Sequence, residues 1–188
     1  MRRGFAELLA DRRGQLEAPH YPEQVAAIVA AMVLAFRSGK KVLWCGNGGS
    51  AADAQHLAAE FSGRFLRERG ALPSEALSVN TSALTAIAND FGYENVFARQ
   101  VEAFAQPGDV VVGITTSGKS PNIVRALEAA RRAGATTVAF TGNGGGPLAG
   151  IADLVLLGPV GYSAIVQEVH ITLGHIICDL VEQDLLFA

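Results

Sequence analysis

The residues from Gly113 to Ser120 have the clearest chemical pattern in this chain. They read GITTSGKS and fit the phosphate-binding pattern G-x-x-x-x-G-K-[ST] of nucleotide hydrolases. Such hydrolases also need a second strand that ends in an aspartate for magnesium, and the apolar runs TTVAFTG and ADLVLLG end without one. Pro121 directly follows the last serine, so a helix would begin there rather than at the lysine. We therefore interpret the segment as a phosphate site of another kind.

Hydroxyl side chains are what this segment offers a phosphate. Those around the predicted helix start are Thr115, Thr116, Ser117 and Ser120. A second loop, CGNGGSAAD at residues 45–53, also follows an apolar run and precedes a helix. Glycine-lined N–H groups, hydroxyls and a helix N-terminus together can hold a phosphate. Either loop alone is also typical of an ordinary strand-to-helix turn, but two in one short chain favour a sugar-phosphate site without a bridging metal.

A histidine and a carboxylate follow the second loop by about two helical turns. His56 and Glu60 are four residues apart, so they share one face of the predicted helix. An exposed His–Glu pair on a helix surface would have the same spacing. Moving a proton between C1 and C2 of a sugar through an enediol needs a base at carbon and an acid for the oxygens. A carboxylate and a histidine suffice for that chemistry.

Polar residues also interrupt the apolar C-terminal helix. They are Gln167, Glu168, His170 and His175, and such groups are costly in a core unless they are paired. We interpret His170 as a core histidine with one hydrogen bond and Glu168 as a partner for a basic group from a neighbour. Gln167 and His175 differ by about 80° around a helix, so both could reach one site from one side. Two histidines, a glutamate and a glutamine form a plausible set of zinc ligands.

Strands and helices alternate from residue 41 onward. The predicted strands are mostly continuous apolar runs at 41–46, 75–80, 109–114, 136–142 and 152–158, as in a parallel sheet buried on both faces. Helices are predicted over 5–17, 21–38, 50–68, 81–90, 94–105, 121–134 and 161–186, with Ser50 as the N-cap of the third. The pattern predicts a doubly wound parallel α/β sheet flanked by helices. We expect one domain over 1–188, in which residues 1–38 form a helical extension that packs on the domain or on a neighbouring subunit.

Composition excludes several classes of protein. The chain has 188 residues, of which 49% are hydrophobic and 18% are charged, and its net charge is −3, so it is not disordered. Short basic runs such as Arg2-Arg3 and Arg131-Arg132 do not indicate nucleic-acid binding. No apolar stretch predicts a signal peptide or a membrane span. Cys45 and Cys178 lie in apolar runs and are expected to be buried free thiols. We expect a cytoplasmic protein.

Four segments of the chain together resemble the sugar-isomerase (SIS) domain, and more narrowly the phosphoheptose isomerases. They are CGNGGSAADAQHLAAEFSGRF, AIANDFG, GITTSGKS and QEVHITLGH. The resemblance covers nearly the whole chain and implies an SIS-type fold. It implies conversion of sedoheptulose 7-phosphate to D-glycero-D-manno-heptose 7-phosphate, the first step of activated heptose biosynthesis. It also implies a homotetramer with active sites shared between subunits, and one zinc ion per subunit.

The resemblance further implies roles for individual residues. Glu60 and His175 would be the catalytic acid/base pair. The zinc ligands would be His56, Glu60, Gln167 and His175. The substrate would be bound by a larger set of glycine and polar residues: Asn47, Gly48, Gly49, Ser50, Arg64, Asn89, Asp90, Thr115, Thr116, Ser117, Ser120 and Gln167. Zinc held tightly by Glu60 would make that carboxylate a poorer base, so the metal would act either as a Lewis acid or only in a resting state.

Two residues depart from the usual pattern of the family. Ala164 and Ile165 stand just before the Gln-Glu pair where polar residues are usual, and family members with an aspartate at the first position use it for activity. The departure leaves open an isomerase for a different sugar phosphate. It also leaves open a non-catalytic SIS protein that binds a sugar phosphate or a replication-initiator partner. Such a binder is expected to lose Glu60 or His175, and both are present.

Replacing Lys119 with alanine tests whether the nucleotide-hydrolase pattern is a coincidence. We expect Lys119→Ala to change isomerase turnover by less than about twofold, because the lysine of that pattern acts on nucleotide phosphates. Steady-state rates of the variant and the unaltered protein with a sugar phosphate measure this. Loss of activity in Lys119→Ala would show that the lysine does act on the bound phosphate.

Overall fold

A five-stranded parallel sheet forms the centre of the fold. The computed structural model describes residues 4–187, and its strand order is β2-β1-β3-β4-β5. The strands are β1 (Val42–Gly46), β2 (Ser74–Ala76), β3 (Val110–Thr115), β4 (Thr136–Thr141) and β5 (Leu154–Leu157). Every neighbouring pair is parallel, which confirms the predicted doubly wound α/β class. The predicted basic run Arg2-Arg3 and the two ends of the predicted 1–188 domain lie outside the described residues.

Helices pack on both faces of this sheet. In the described part of the chain the α-helices are α1 (Phe5–Gly14), α2 (Tyr21–Arg37), α3 (Gly49–Ser62), α4 (Thr81–Phe91), α5 (Ala98–Phe104), α6 (Pro121–Arg132) and α7 (Ser163–Phe187). Two short 3₁₀ helices lie at Tyr93–Asn95 and Gly146–Gly150. An α-helix therefore lies in each predicted helical range, although the ends of some are shifted and the helix predicted over 94–105 is divided.

Alternate side chains along each strand point to opposite faces, so the sheet has two apolar cores. Val42 and Trp44 of β1 belong to a core shared with α2, α3 and α7. Leu43 and Cys45 belong to the other core, which is shared with α5 and α6. Cys45 and Cys178 are both buried and free, as predicted. Burial raises the pKa of Cys45 to about 12, so this thiol is not a nucleophile near neutral pH.

The two N-terminal helices differ in how they attach. Residues Tyr21, Val25, Ile28 and Met32 of α2 are buried in the core beside α3 and α7. No residue of α1 is buried. Arg12 of α1 lies with its Nε 3.2 Å from the carboxylate of Glu168 on α7. Glu168 thus has a basic partner, and that partner comes from within the chain.

The helix after β1 differs from its prediction at both ends. The N-cap of α3 is Gly48, with φ +57, so the predicted N-cap role of Ser50 is wrong. Glycine takes the position because a positive φ is costly for other residues, and Ser50 is buried in the first turn instead. α3 ends at Ser62 rather than near residue 68. Beyond it the chain turns toward α7, where the Phe65 backbone N–H binds Glu182.

The helix predicted over 94–105 is divided in two. Residues Tyr93–Asn95 form a 3₁₀ turn, and α5 begins only at Ala98. Gly92 enters the turn with φ +85, and the Tyr93 hydroxyl donates to Asn47 Oδ1 at 3.0 Å. These tertiary contacts hold the turn against the loop after β1, and a continuous helix would break them.

α7 is long and apolar enough to cross a membrane by length and composition alone. Half of its most apolar window is nevertheless buried inside the protein. Val169, Leu173 and Ile177 lie in the core beside α2 and α3. These contacts are those of a core helix, for which a high apolar content is expected.

The end of β1 permits a test of how closely α3 approaches the sheet. A Cβ atom at Gly46 would lie 2.3 Å from the carbonyl oxygen of Ser50. We expect Gly46→Ala to lower the free energy of unfolding by about 1–3 kcal/mol, because the start of α3 must move away. Urea unfolding measures the change. Gly70→Ala is the control, since nothing lies within 4 Å of its added Cβ, and equal stability losses in the two variants would contradict the expectation.

Candidate functional site

A small polar cavity lies beyond the carboxyl ends of β1 and β3. These neighbouring strands are followed by crossovers to opposite sides of the sheet, and ligands of doubly wound folds bind at such a switch point. The cavity has a volume of about 200 Å³, and we call it the hydroxyl pocket. It is lined by Asn47, Ser50, Ile114, Thr115, Thr116, Ser117, Ser120, Ser163 and Gln167. The two loops that sequence analysis predicted as phosphate sites therefore meet in one place.

Three helices begin at the hydroxyl pocket. α3 starts at Gly49, α6 at Pro121 and α7 at Ser163, and each has a residue of its first turns or its N-cap in the lining. The N-terminus of a helix carries a partial positive charge and free N–H groups, which favour an anion. The lining contains no lysine or arginine, so backbone groups and hydroxyls supply the attraction for a phosphate. Lys119 is exposed and lies outside this lining.

Hydroxyls in the pocket are connected to one another. Thr115 Oγ1 lies 2.9 Å from Ser120 Oγ, and Thr116 Oγ1 lies 3.1 Å from Ser163 Oγ. The Ser117 hydroxyl accepts a hydrogen bond from the Lys119 backbone N–H at 3.2 Å. Sequence analysis missed Ser163. Its signal was a serine at the start of the last helix, the same feature that marked Ser120.

Asn47 is fixed by two neighbours. Its side-chain amide exchanges hydrogen bonds with the amide of Asn122 at 2.9 and 2.8 Å, and it also accepts one from Tyr93. Asn122 is buried at the first turn of α6. This reciprocal pair joins the loop after β1 to the loop after β3. Of the Asn47 amide, one N–H hydrogen remains for a ligand.

A second polar cluster lies on α3 and α7, further along both helices. His56 Nε2 is 2.8 Å from His175 Nε2 and 3.3 Å from Glu60 Oε1. One ligand atom from each of these residues lies within 4.8 Å of the others. We call these three residues the His–Glu–His cluster. Phe65 stacks on the His175 ring with a centroid distance of 5.3 Å. The structure thus brings the two predicted catalytic residues together.

The donor set of this cluster fits a zinc ion. Two imidazole nitrogens bound at roughly 2.0–2.1 Å to a tetrahedral zinc ion lie about 3.3 Å apart. The histidine nitrogens are 2.8 Å apart, the length of a hydrogen bond between the rings, so a small separation of the rings would admit the metal. Three protein ligands would leave one position open, as in catalytic zinc sites.

Gln167 lies with the hydroxyl pocket. A Cβ atom at Gly49 would be 2.6 Å from Gln167 Nε2, which places that amide at the start of α3. His175 is eight residues further along α7, or about 12 Å by the rise of a helix. Within one chain, the predicted zinc ligand Gln167 therefore lies about two helical turns from the other three along α7.

Arg64, Asn89 and Asp90 were also predicted to bind the substrate, but they lie outside the hydroxyl pocket of their own chain. Arg64 forms an ion pair with Glu68, and both side chains are exposed. The Asn89 amide donates to the Asp90 carboxylate at 2.8 Å. Asp90 lines a mainly apolar cavity of about 680 Å³ between β2, α4 and α5.

Two buried polar groups lie near the site. Asp53, on α3 between Gly49 and His56, has one carboxylate oxygen that is buried without a hydrogen-bond partner among the described residues. Burial raises the pKa of Asp53, although the nearby His56 lowers it. His170 is fully buried, and its Nε2 lies 3.0 Å from the Thr141 carbonyl oxygen, the single bond expected of a core histidine. Burial lowers the pKa of His170 to about 4, so it is neutral at physiological pH.

Comparison with known proteins identifies the family. Residues 15–142 match the family model of the SIS domain. The phosphoheptose isomerase of Roseiflexus sp. strain RS-1 is 56% identical over 161 residues, which cover 86% of this chain and 82% of the relative. The solved phosphoheptose isomerase of Neisseria gonorrhoeae is 41% identical, with a TM-score of 0.87 and 95% of both chains covered. That of Francisella tularensis is 33% identical, with a TM-score of 0.89 and coverage of 97% and 100%. The chain belongs to the phosphoheptose isomerase family.

Membership of the phosphoheptose isomerase family confirms the resemblance seen in the sequence. It holds despite the two unusual residues before Gln167. Ala164 is exposed in the first turn of α7. Ile165 is buried and shares a small cavity with Arg12 and Leu16 of α1. The second of these departures therefore packs against the N-terminal extension instead of facing the hydroxyl pocket.

The hydroxyl pocket can be tested by removing its hydroxyls. We expect Ser117→Ala with Ser120→Ala to raise the KM for a sugar phosphate by on the order of tenfold or more, because each hydrogen bond to a charged group contributes about 1.5–3 kcal/mol. Ser163→Ala should act in the same direction. Steady-state kinetics give the values, with Ser82→Ala on exposed α4 as the control. An unchanged KM in the double variant would place the phosphate elsewhere.

Proposed function

We propose that this protein is an aldose–ketose isomerase that converts sedoheptulose 7-phosphate to D-glycero-D-manno-heptose 7-phosphate. The observation that carries the proposal is the presence of two polar clusters along the same pair of helices. The hydroxyl pocket lies at the start of α3 and α7, and a carboxylate with two imidazoles lies further along the same helices. A heptulose 7-phosphate has its phosphate and its reacting carbons at opposite ends. The family of the chain, whose relatives are named phosphoheptose isomerases, supports the same substrate.

The hydroxyl pocket would bind the phosphate and orient the sugar. The hydroxyls of Thr115, Ser117 and Ser120 and the N–H groups of three helix starts would hold the phosphate oxygens. The remaining N–H of Asn47 and the Gln167 amide would bind sugar hydroxyls. Because binding at the phosphate end is remote from the reacting carbons, its free energy can position C1 and C2 at the catalytic pair.

Glu60 and His175 would carry the protons. The Glu60 carboxylate would remove a proton from C1 of the ketose, and the electron pair would form the C1–C2 double bond of the enediol. His175 would give a proton to the oxygen at C2 and take one from the hydroxyl at C1. Return of the proton from Glu60 to C2 would complete the aldose. Phe65 on the His175 ring would keep the imidazole in one orientation.

A zinc ion is part of the proposal. His56, Glu60 and His175 would hold it. It would supply Lewis-acid chemistry to the sugar, or it would occupy only a resting state that frees Glu60 and His175 for proton transfer when substrate arrives. Gln167 remains a predicted fourth ligand. Its amide lies beside Gly49, and its backbone is about 12 Å from that of His175 along α7, so it would join the other ligands after a change of side-chain conformation or from another subunit.

Assembly and location are further parts of the proposal. We infer a single SIS domain over 1–188 that forms a homotetramer in the cytoplasm. The positions of Arg64, Asn89 and Asp90 away from the hydroxyl pocket support sharing of sites between subunits, because a neighbouring chain could bring them to the substrate. We propose no nucleic-acid partner, because the net charge is −3 and the basic runs are short.

Proton NMR in D₂O tests the proposed reaction. We expect sedoheptulose 7-phosphate incubated with the protein to give new aldose signals with deuterium at C2, since the enediol exchanges its proton with solvent. Glu60→Gln should lower kcat by about 10²–10⁴-fold, because the base at carbon is lost, while circular dichroism shows an intact fold.

Glu128→Gln is the control, since it removes an exposed carboxylate on α6 and should leave kcat unchanged. Absence of aldose signals, even with added Zn²⁺, would contradict the isomerase proposal and favour a sugar-phosphate binder. Exchange and turnover that persist in Glu60→Gln would remove Glu60 from the mechanism.

A further inference from the structure

A buried carboxylate on α7 binds the segment that follows α3. Glu182 is completely buried. Its two oxygens accept hydrogen bonds from the backbone N–H groups of Phe65, Leu66 and Arg67 at 2.9, 3.0 and 3.0 Å. Arg69 Nε donates a fourth at 2.9 Å. Although burial disfavours the charged form, these donors lower the pKa of Glu182 below its usual value, so the group is an anion at neutral pH.

The Arg69 side chain closes the C-terminal end of α3. Only 4% of it is exposed. Its Nη2 donates to the Glu60 carbonyl oxygen at 2.7 Å, and its Nη1 donates to the carbonyls of Phe61 and Gly63 at 2.8 and 3.2 Å. The last carbonyls of a helix have no partners within the helix, and a cation there also complements its dipole. One guanidinium thus holds the helix turn that carries Glu60.

The same pair reaches the other half of the His–Glu–His cluster. Glu182 follows His175 by seven residues, so both lie on one face of α7 about two turns apart. Phe65, whose N–H is bound by Glu182, stacks on the His175 ring with an interplanar angle of 20°. The contact between His56 and His175 crosses from α3 to α7, whereas the contact between His56 and Glu60 lies within α3. The geometry of the cluster therefore depends on the relative position of these two helices.

We propose that Arg69 and Glu182 are a positioning pair for the His–Glu–His cluster. They fix the end of α3 against α7, and through Phe65 they fix the His175 ring, so that His56, Glu60 and His175 are held at the spacing that binds a metal ion and transfers protons. The inference rests on the proposed function, because the cluster is its reacting centre.

The energetics of buried ion pairs favour a role in geometry. Desolvation of two charges offsets most of their attraction, so such a pair is often no more stabilising than apolar residues of the same volume. A well-satisfied pair does specify one arrangement of the groups around it, because each alternative leaves a buried charge unpaired. Here that arrangement is the packing of the C-terminal end of α3 and the segment after it against α7.

The test uses Glu182→Gln and Arg69→Lys in the full chain, with two readouts besides activity. The first is the dissociation constant for Zn²⁺, measured by competition with a chromophoric chelator. The second is the imidazole ¹H–¹⁵N spectrum of the metal-free protein, in which His56 and His175 report their hydrogen bonds. We expect each variant to weaken Zn²⁺ binding by about 10–100-fold, as loss of the groups that orient metal ligands does. Both histidine signals should shift and kcat should fall, while the dissociation constant for inorganic phosphate stays the same.

Asp109→Asn is the matched control. Asp109 is also fully buried, and it accepts hydrogen bonds from Lys41 N, Lys41 Nζ and Gln106 N at 3.0, 2.6 and 2.7 Å. It precedes β3, and its carboxylate is bound by Lys41 and Gln106 rather than by residues of α3 or α7. We expect Asp109→Asn to lose stability to a similar extent in urea unfolding, with Zn²⁺ affinity and histidine signals unchanged.

Either of two results would overturn the proposal. One is Zn²⁺ affinity and histidine signals in Glu182→Gln and Arg69→Lys that equal those of the unaltered protein. The other is an equal change in Asp109→Asn, which would mean that general loss of stability is the cause. If Glu182→Gln does not fold, Arg69→Lys, which keeps the charge, decides. If the unaltered protein shows no isomerase activity, the proposed function fails, but the metal and NMR readouts still judge the positioning pair.

Discussion

The site depends on the close parallel packing of α3 against α7. The two helices run side by side in the same direction, with Gly49 against Gln167 at one end and Leu57 against Gly174 further along. A Cβ atom at Gly174 would lie 2.8 Å from the Leu57 side chain, so the absence of a side chain there permits the approach. This contact brings imidazoles from separate helices to within hydrogen-bond distance of each other. Wider spacing would leave the polar groups on α7 without hydrogen-bond partners in an apolar helix, which is energetically unfavourable.

The sheet determines where these two helices begin. In a parallel sheet, the carboxyl ends of all strands lie at one edge, and helix starts gather there. The loops after β1 and β3 meet at this end of the sheet. The Asn47–Asn122 amide pair joins the loop after β1 to the start of α6, which follows β3. An anion bound at this point interacts with three helix N-termini without a basic side chain in the lining. The hydroxyl pocket therefore follows from the fold, whereas the His–Glu–His cluster follows from residues placed two turns further along α3.

Much of this organisation could be predicted from sequence. Apolar runs such as VLWCG and VVVGIT predicted the strands, because burial on both faces requires continuous apolar residues. The spacing of His56 and Glu60 predicted a shared face, because helix periodicity is local. The start of α3 was predicted incorrectly, since serine is a common N-cap, whereas here Gly48 takes the N-cap position with a positive φ that favours glycine. The end of α3 was also misplaced, because its partner Glu182 is more than a hundred residues away in the chain.

The sequence by itself determined the fold class, the two hydroxyl and glycine loops, and the residue types that can transfer protons or bind a metal. These depend on local periodicity and on turn chemistry, which neighbouring residues specify. Only the tertiary structure decided that His175 meets His56, that Gln167 lies in the hydroxyl pocket, and that Ser163 joins the lining of that pocket. The physical reason is that these contacts depend on how α7 lies across α3 and the sheet. That arrangement is set by long-range packing and by the buried Arg69–Glu182 pair, which no local pattern encodes.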